Sequence, residues 1–120
     1  MKIQRLERDR LGFEYNLYAQ RTFPWKGVTT PFEGAWCVLP PGQESLPHHH
    51  EEKETFIIVK GCGQVKSDDQ QDVVQAGDVV YFEPHTRHSI VNIGDEDLEF
   101  FSMWWWENKR PIQTPEDYSI

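Results

Sequence analysis

Proline and glycine interrupt this chain at short intervals: Pro24, Gly27, Pro31, Gly34, Pro40-Pro41-Gly42, Gly61, Gly63, Gly77, Pro84 and Gly94. That punctuation breaks potential helices, because proline lacks the N–H and glycine the conformational restraint that a helix interior needs, and no long stretch carries a period of 3.6. Between the breaks lie short runs rich in β-branched and aromatic residues, namely Ala35–Leu39, Thr55–Val59, Val79–Phe82, Ser89–Val91 and Leu98–Trp106. Such runs at this spacing predict an all-β sandwich or barrel. Gly63–Lys66 and Asp72–Ala76 read as a further strand pair around the polar tip Ser67–Asp72. Only Ile3–Arg10 and Pro115–Tyr118 have the composition for a helical turn.

The length of 120 residues suits one domain, 1–120, since a second would leave neither half enough chain to bury a core. Hydrophobic residues at 38% and charged residues at 27% exclude a disordered chain. The balance of 12 Lys+Arg against 20 Asp+Glu, with no basic run, speaks against nucleic acid and against an anionic membrane surface as partners. The longest nearly apolar stretch, Phe100–Trp106, is far short of the roughly 20 residues that span a bilayer. Residues 1–10 show no apolar core of a signal peptide, and Cys37 and Cys62 make no disulfide framework, so a cytoplasmic location is expected.

All five histidines fall in two windows, His48-His49-His50 and His85 with His88. On an extended strand His48, His50 and Glu54 share one face and His49 faces away. Two imidazoles and a carboxylate on one face are a metal-ligand set, and His88 would complete three nitrogens and one oxygen with positions left open for water or substrate.

Gly42, His48, His50, Glu54 and Gly61, at their spacings, resemble the first motif of the cupin superfamily; Gly77, His88 and Asn92 resemble the second. The second departs from the family pattern where Glu83-Pro84-His85 stands in place of Pro-x-Gly. Pro84 supplies the turn, and a histidine at the glycine position implies a turn without positive φ. The resemblance covers about residues 33–106. It implies a double-stranded β-helix, a small jelly-roll-type barrel, with segments 1–32 and 107–120 outside it or at a dimer contact. It also implies one divalent metal (iron, zinc, manganese or nickel) held by His48, His50, Glu54 and His88.

Parity extends this to a pocket. Phe56 and Ile58 follow Glu54 inward, Ile90 and Asn92 follow His88, and on the late strand Phe100, Ser102 and Trp104 are chosen as inward because Asp97 and Glu99 belong outside. With Trp36 these give an aromatic and aliphatic site for a small chelating metabolite. Asn92 is expected to hold backbone near the site. Near the rim, His85 and Tyr81 are candidate acid or base groups, with Glu83 and Arg87 beside them, although His85 also suits an exposed turn. Phe100–Trp106 is apolar on both parities, so its outer face should meet a partner subunit or the N-terminal segment, and a homodimer is expected.

Function then divides into classes. A metal-dependent enzyme would use either dioxygenase-like chemistry at iron or Lewis-acid isomerase or lyase chemistry. A metal-assisted binding or sensing module would lack a dedicated acid or base. Asn16–Gln20, Phe32–Val38, Gly94–Asp97 and Trp104-Trp105 also resemble the cupin module of hydrazine-forming biosynthetic enzymes, which carry a methionyl-tRNA-synthetase-like domain. That likeness implies N–N bond formation from an amino-acid ester, with a separate amino-acid-activating enzyme as partner.

Overall fold

The structure, a computed structural model, describes residues 1–107. The turn expected at Pro115–Tyr118 and all but the first residue of the tail 107–120 lie outside the described residues. After a short 3-10 turn at Arg8–Arg10 come strands β1 (Gly12–Glu14), β2 (Leu17–Phe23), β3 (Glu33–Leu39), β4 (Lys53–Lys60), β5 (Cys62–Ser67), β6 (Gln70–Gln75), β7 (Val79–Phe82), β8 (His88–Asn92) and β9 (Leu98–Trp105). They form a six-stranded sheet in the order β1-β2-β3-β9-β4-β7 and a three-stranded sheet in the order β6-β5-β8, with antiparallel pairing throughout. Among the described residues no helix is long and apolar enough to cross a membrane.

Alternation along the strands creates the core. On β4, Glu54, Phe56 and Ile58 are buried while Thr55, Ile57 and Val59 lie on the other face; β9 buries Leu98, Phe100 and Ser102 on its inner side. These meet Leu17 and Ala19 of β2, Ala35, Cys37 and Leu39 of β3, and Val65, Phe82 and Ile90 from the remaining strands. The turn from β4 to β5 depends on Gly61. Its φ is +92°, and a Cβ there would sit 2.9 Å from the Asp97 carbonyl oxygen, so only glycine fits this close approach.

Two features correct the sequence reading. First, segment 1–32 does not lie wholly outside the barrel. Its β2 lies in the larger sheet beside β3, and Leu17 and Ala19 join the core. The hairpin β1–β2 closes through Tyr15 and Asn16, both left-handed at φ 51° and 61°, as a two-residue hairpin turn requires. Second, His85 has φ 65°, so the turn does need positive φ. Pro84 precedes it as in a type II turn, whose third residue favours glycine. The histidine holds the strained position while its backbone N–H donates to the His50 carbonyl at 2.7 Å, tying the second motif to the first.

The outer face of β9 carries Phe101, Met103 and Trp105, partly covered, and Glu99. Glu99 is outward as expected but buried, because Arg8 pairs with it through both carboxylate oxygens (2.9 and 3.1 Å) and Trp36 Nε1 donates to it at 2.9 Å. Burial pushes the Glu99 carboxyl up, but the bonds from Arg8 and Trp36 outweigh it and leave it below the usual range.

Candidate metal centre

The four residues converge from three chain segments. The stretch Gly42–His48 runs beside β8 as an irregular extension of the small sheet: Ser45 N donates to Ile90 O (2.9 Å), and His48 and His88 exchange backbone bonds at 3.2 and 2.9 Å. His48 is thereby pinned against His88 at the start of β8. The chain then bends at Glu51-Glu52 before β4 begins, so His48, His50 and Glu54 share the cavity side without sharing one continuous strand. His49 is exposed, as its parity required. Glu54, near the start of β4, pairs with Trp104 of β9 on one side and with Phe82 of β7 on the other.

One potential donor atom from each of His48, His50, Glu54 and His88 lies within 4.8 Å of the other three. Glu54 Oε1 is 2.9 Å from His50 Nε2 and 2.8 Å from His88 Nε2. Ligands at right angles around an ion bound at about 2.1 Å, as in octahedral coordination, would stand about 3.0 Å apart, close to both values.

The tautomers complete the fit. The Nδ1 atoms of His48, His50 and His88 lie 2.9, 3.0 and 3.0 Å from the carbonyl oxygens of Leu46, Glu52 and Thr86. A carbonyl can only accept, so each Nδ1 donates and each neutral ring presents a bare Nε2 lone pair. Two such lone pairs aimed at one carboxylate oxygen repel unless a cation lies between them, either a proton or a metal ion. Three imidazole nitrogens and one carboxylate oxygen are donors that iron, zinc, manganese and nickel accept, so these residues fit a divalent cation.

Electrostatics agree with a site built for positive charge. Burial pushes the Glu54 carboxyl up, but hydrogen bonds from Ser102 and, with a proton on their Nε2 atoms, from His50 and His88 together outweigh it and hold it at about 2. Ser102 Oγ donates to Glu54 Oε2 at 2.5 Å, so the second oxygen is fixed as well. The bond to Glu54 raises the His50 imidazole above its ordinary value, whereas burial lowers that of His48. Behind the site Phe82 stacks on the His88 ring at 4.4 Å, and Tyr15 lies 4.7 Å from the His48 ring.

His48, His50 and Glu54 line a cavity of about 280 Å³, while His88, 2% exposed, is not at its surface. Phe56, Phe100, Ser102 and Trp104 line it too, together with residues the sequence reading did not single out: Glu14, Tyr15, Leu17, Ala19 and Arg21 from the β1–β2 hairpin, Glu33, Ala35 and Cys37 of β3, Ser45, Glu52 and Trp106. The signal for the hairpin was the alternation of Leu17 and Ala19 with polar residues. Burial pushes the Cys37 thiol well up, which keeps it protonated.

Four residues assigned to the pocket lie elsewhere. Ile58 and Ile90 are 1% and 0% exposed in the core and do not reach the cavity surface, because parity selects a face and not a depth. Asn92 does bond backbone, donating to the Leu39 and Glu96 carbonyls at 2.8 Å each, but it stands four residues along β8 from His88, about 13 Å at 3.3 Å per residue. Trp36 faces away from Ala35 and Cys37, onto Glu99. The two acid–base candidates also lie outside the cavity. Tyr81 alternates with buried Phe82, so it is exposed on the outer face against Trp105, and His85 is exposed on its turn.

The profile of the Cupin_2 family, a cupin domain, matches residues 35–105. A conserved-barrel cupin 2 protein of Salinispora arenicola superposes with a TM-score of 0.84 at 43% identity, covering 89% of this chain and 90% of that one. A protein of Photorhabdus luminescens does so at 0.83 and 34%, covering 88% of each. Among curated proteins, an oxalate-binding protein of Thermotoga maritima is 43% identical over 67 residues, which is 54% of either chain. The chain spans little more than half the length of the curated relatives it matches. These matches establish the fold and family and do not extend to the narrower likeness to hydrazine-forming enzymes. With both motifs in sequence, two antiparallel sheets enclosing a His3Glu cluster, and the family match over more than half its length, this chain belongs to the cupin family, as a small single-domain Cupin_2 protein.

Proposed function

We propose that the protein is a metal-dependent enzyme acting on a small, anionic, chelating metabolite. The observation that carries this reading is the set of three imidazoles locked by backbone carbonyls and gathered with Glu54 within 4.8 Å of one another, beside a cavity of about 280 Å³. A divalent cation held there supplies open coordination positions together with Lewis-acid chemistry or, for iron, redox chemistry toward dioxygen. The chain's own residues do the rest. The three Nδ1–H bonds orient the rings, and Ser102 fixes the carboxylate so that Glu54 cannot swing away. Phe56, Phe100 and Trp104 keep water from the walls, which strengthens every charge interaction inside. One carboxylate against a dication leaves the centre positive, which favours a carboxylate, enolate or hydroxamate donor.

The test uses protein loaded separately with Fe(II), Mn(II), Zn(II) and Ni(II). Each form is incubated with a panel of 2-hydroxy acids, 2-oxo acids, oxalate and hydroxamates, with oxygen uptake and product formation followed by electrode and NMR. Product from at least one metal form, abolished in Glu54→Ala, is the expected result. Tight binding across the panel with no product in any form would overturn the enzyme reading. It would favour instead a module that binds small acids without turnover, in line with the oxalate-binding relative.

A further inference from the structure

Arg21 is the only lysine or arginine among the described residues that line the cavity. Its placement has three independent causes. It follows Leu17 and Ala19 on the inward parity of β2 and pairs in register with Ala35 of β3. The guanidinium lies over the Trp104 ring, 5.0 Å from its centroid. Its Nε and Nη2 donate to the two Glu14 oxygens at 3.0 and 2.5 Å. That contact uses one edge of the guanidinium and two of its five N–H groups; the Nη1–Nη2 edge is a second fork of the same geometry.

The register places this fork within reach of a small molecule bound at the metal centre. Arg21, Ala35 and Ser102 are aligned across β2, β3 and β9. Arg21 therefore starts two strand spacings, about 10 Å, from the residue that holds Glu54. From there the side chain reaches to Trp104, whose register partner is Glu54 itself. A molecule chelating at the histidines and extending along the Trp104 face meets the guanidinium after a few carbon atoms.

We propose that Arg21 is the specificity-determining residue of the cavity, capturing a carboxylate at the end of the substrate remote from its chelating group. The substrate class is then a chelator that bears a second, terminal carboxylate. This rests on the metal-centred reading above and narrows it. Glu14 holds the guanidinium in place side-on and, as a like charge, opposes the arriving carboxylate, so Arg21 and Glu14 act on affinity with opposite sign.

A matched pair of probes tests this: succinic monohydroxamate, which carries a terminal carboxylate, and butanohydroxamate, which carries a methyl group there. Both are titrated calorimetrically into metal-loaded protein whose metal content and melting temperature are measured alongside. Wild type is expected to bind succinic monohydroxamate at least about tenfold more tightly, as a charge-assisted bidentate contact implies. In Arg21→Gln the ratio falls to about one. Arg21→Lys, which keeps the charge and loses the fork, lies between, and Glu14→Gln raises the ratio above wild type, a gain that a purely structural role for the pair does not produce. Fully metal-loaded wild type that binds the two probes alike, or binds neither, overturns the role of Arg21, as does an unchanged ratio in Arg21→Gln. Wild-type protein that takes up no metal overturns the metal-centred reading first, and this inference with it.

Discussion

Replacing His88 with alanine is expected to weaken divalent-metal binding by at least about 100-fold, the upper end of what loss of a mere supporting partner costs a metal site. His88 is 2% exposed, its Nδ1 is committed to the Thr86 carbonyl, and its Nε2 has Glu54 Oε1 at 2.8 Å. Neither remaining histidine is placed to substitute, since His49 is exposed on the opposite side and His85 sits on the outer turn. Ser102→Ala, which removes a support of Glu54 and no ligand, is expected to weaken binding about tenfold. Competition titrations with a chromogenic chelator measure both. Affinity in wild type should rise with pH, because each imidazole binds metal only after losing its Nε2 proton. The contact with Glu54 raises the His50 value, so His50 keeps its proton to higher pH than an ordinary histidine, and affinity should still be climbing above the usual imidazole range. An affinity that does not change across this range would contradict the ligand assignment.

Phe82→Ala is expected to destabilise the fold by about 3–5 kcal/mol and to loosen the metal site at the same time. Phe82 is 2% exposed, packs edge-on against Phe56 at 4.9 Å and stacks flat on His88 at 4.4 Å with an interplanar angle of 16°. Truncation leaves a cavity in the core and removes the surface that fixes one ligand ring. Ile58→Ala separates the two effects. Ile58 is 1% exposed and does not line the cavity, so its loss should cost about 2–5 kcal/mol while metal affinity stays near wild type. Urea denaturation of the chelator-treated proteins, paired with metal titrations of the folded ones, checks both. Equal metal affinities in the two variants would show that Phe82 does not orient His88.

What the sequence reveals follows the range of the interactions involved. The four ligand residues are legible because their spacing is local: His48, His50 and Glu54 sit within seven residues, and His88 follows a turn marked by Pro84. Strand positions are legible wherever apolar residues alternate beside a proline or glycine, as in β3, β4 and β9. The hairpin β1–β2 is harder to read because Glu14, Asn16, Gln20 and Arg21 dilute its pattern to Leu17 and Ala19. Its residues reach the site only through pairing with β3, a contact between chain segments that no spacing encodes. Depth is equally hidden, and Ile58 and Ile90 share parity with the ligands yet lie beneath the cavity. At His85 the local rule that positive φ calls for glycine yields to a tertiary contact, the bond from its N–H to His50.

The central claim is that His48, His50, Glu54 and His88 hold one divalent ion in each chain. Elemental analysis by mass spectrometry, made on wild-type protein loaded with divalent metal and dialysed exhaustively, tests it most directly. The account predicts about one equivalent of a single transition metal per chain, retained through dialysis and lost in His88→Ala. Wild-type protein that emerges folded but with less than about a tenth of an equivalent of any such metal would contradict it.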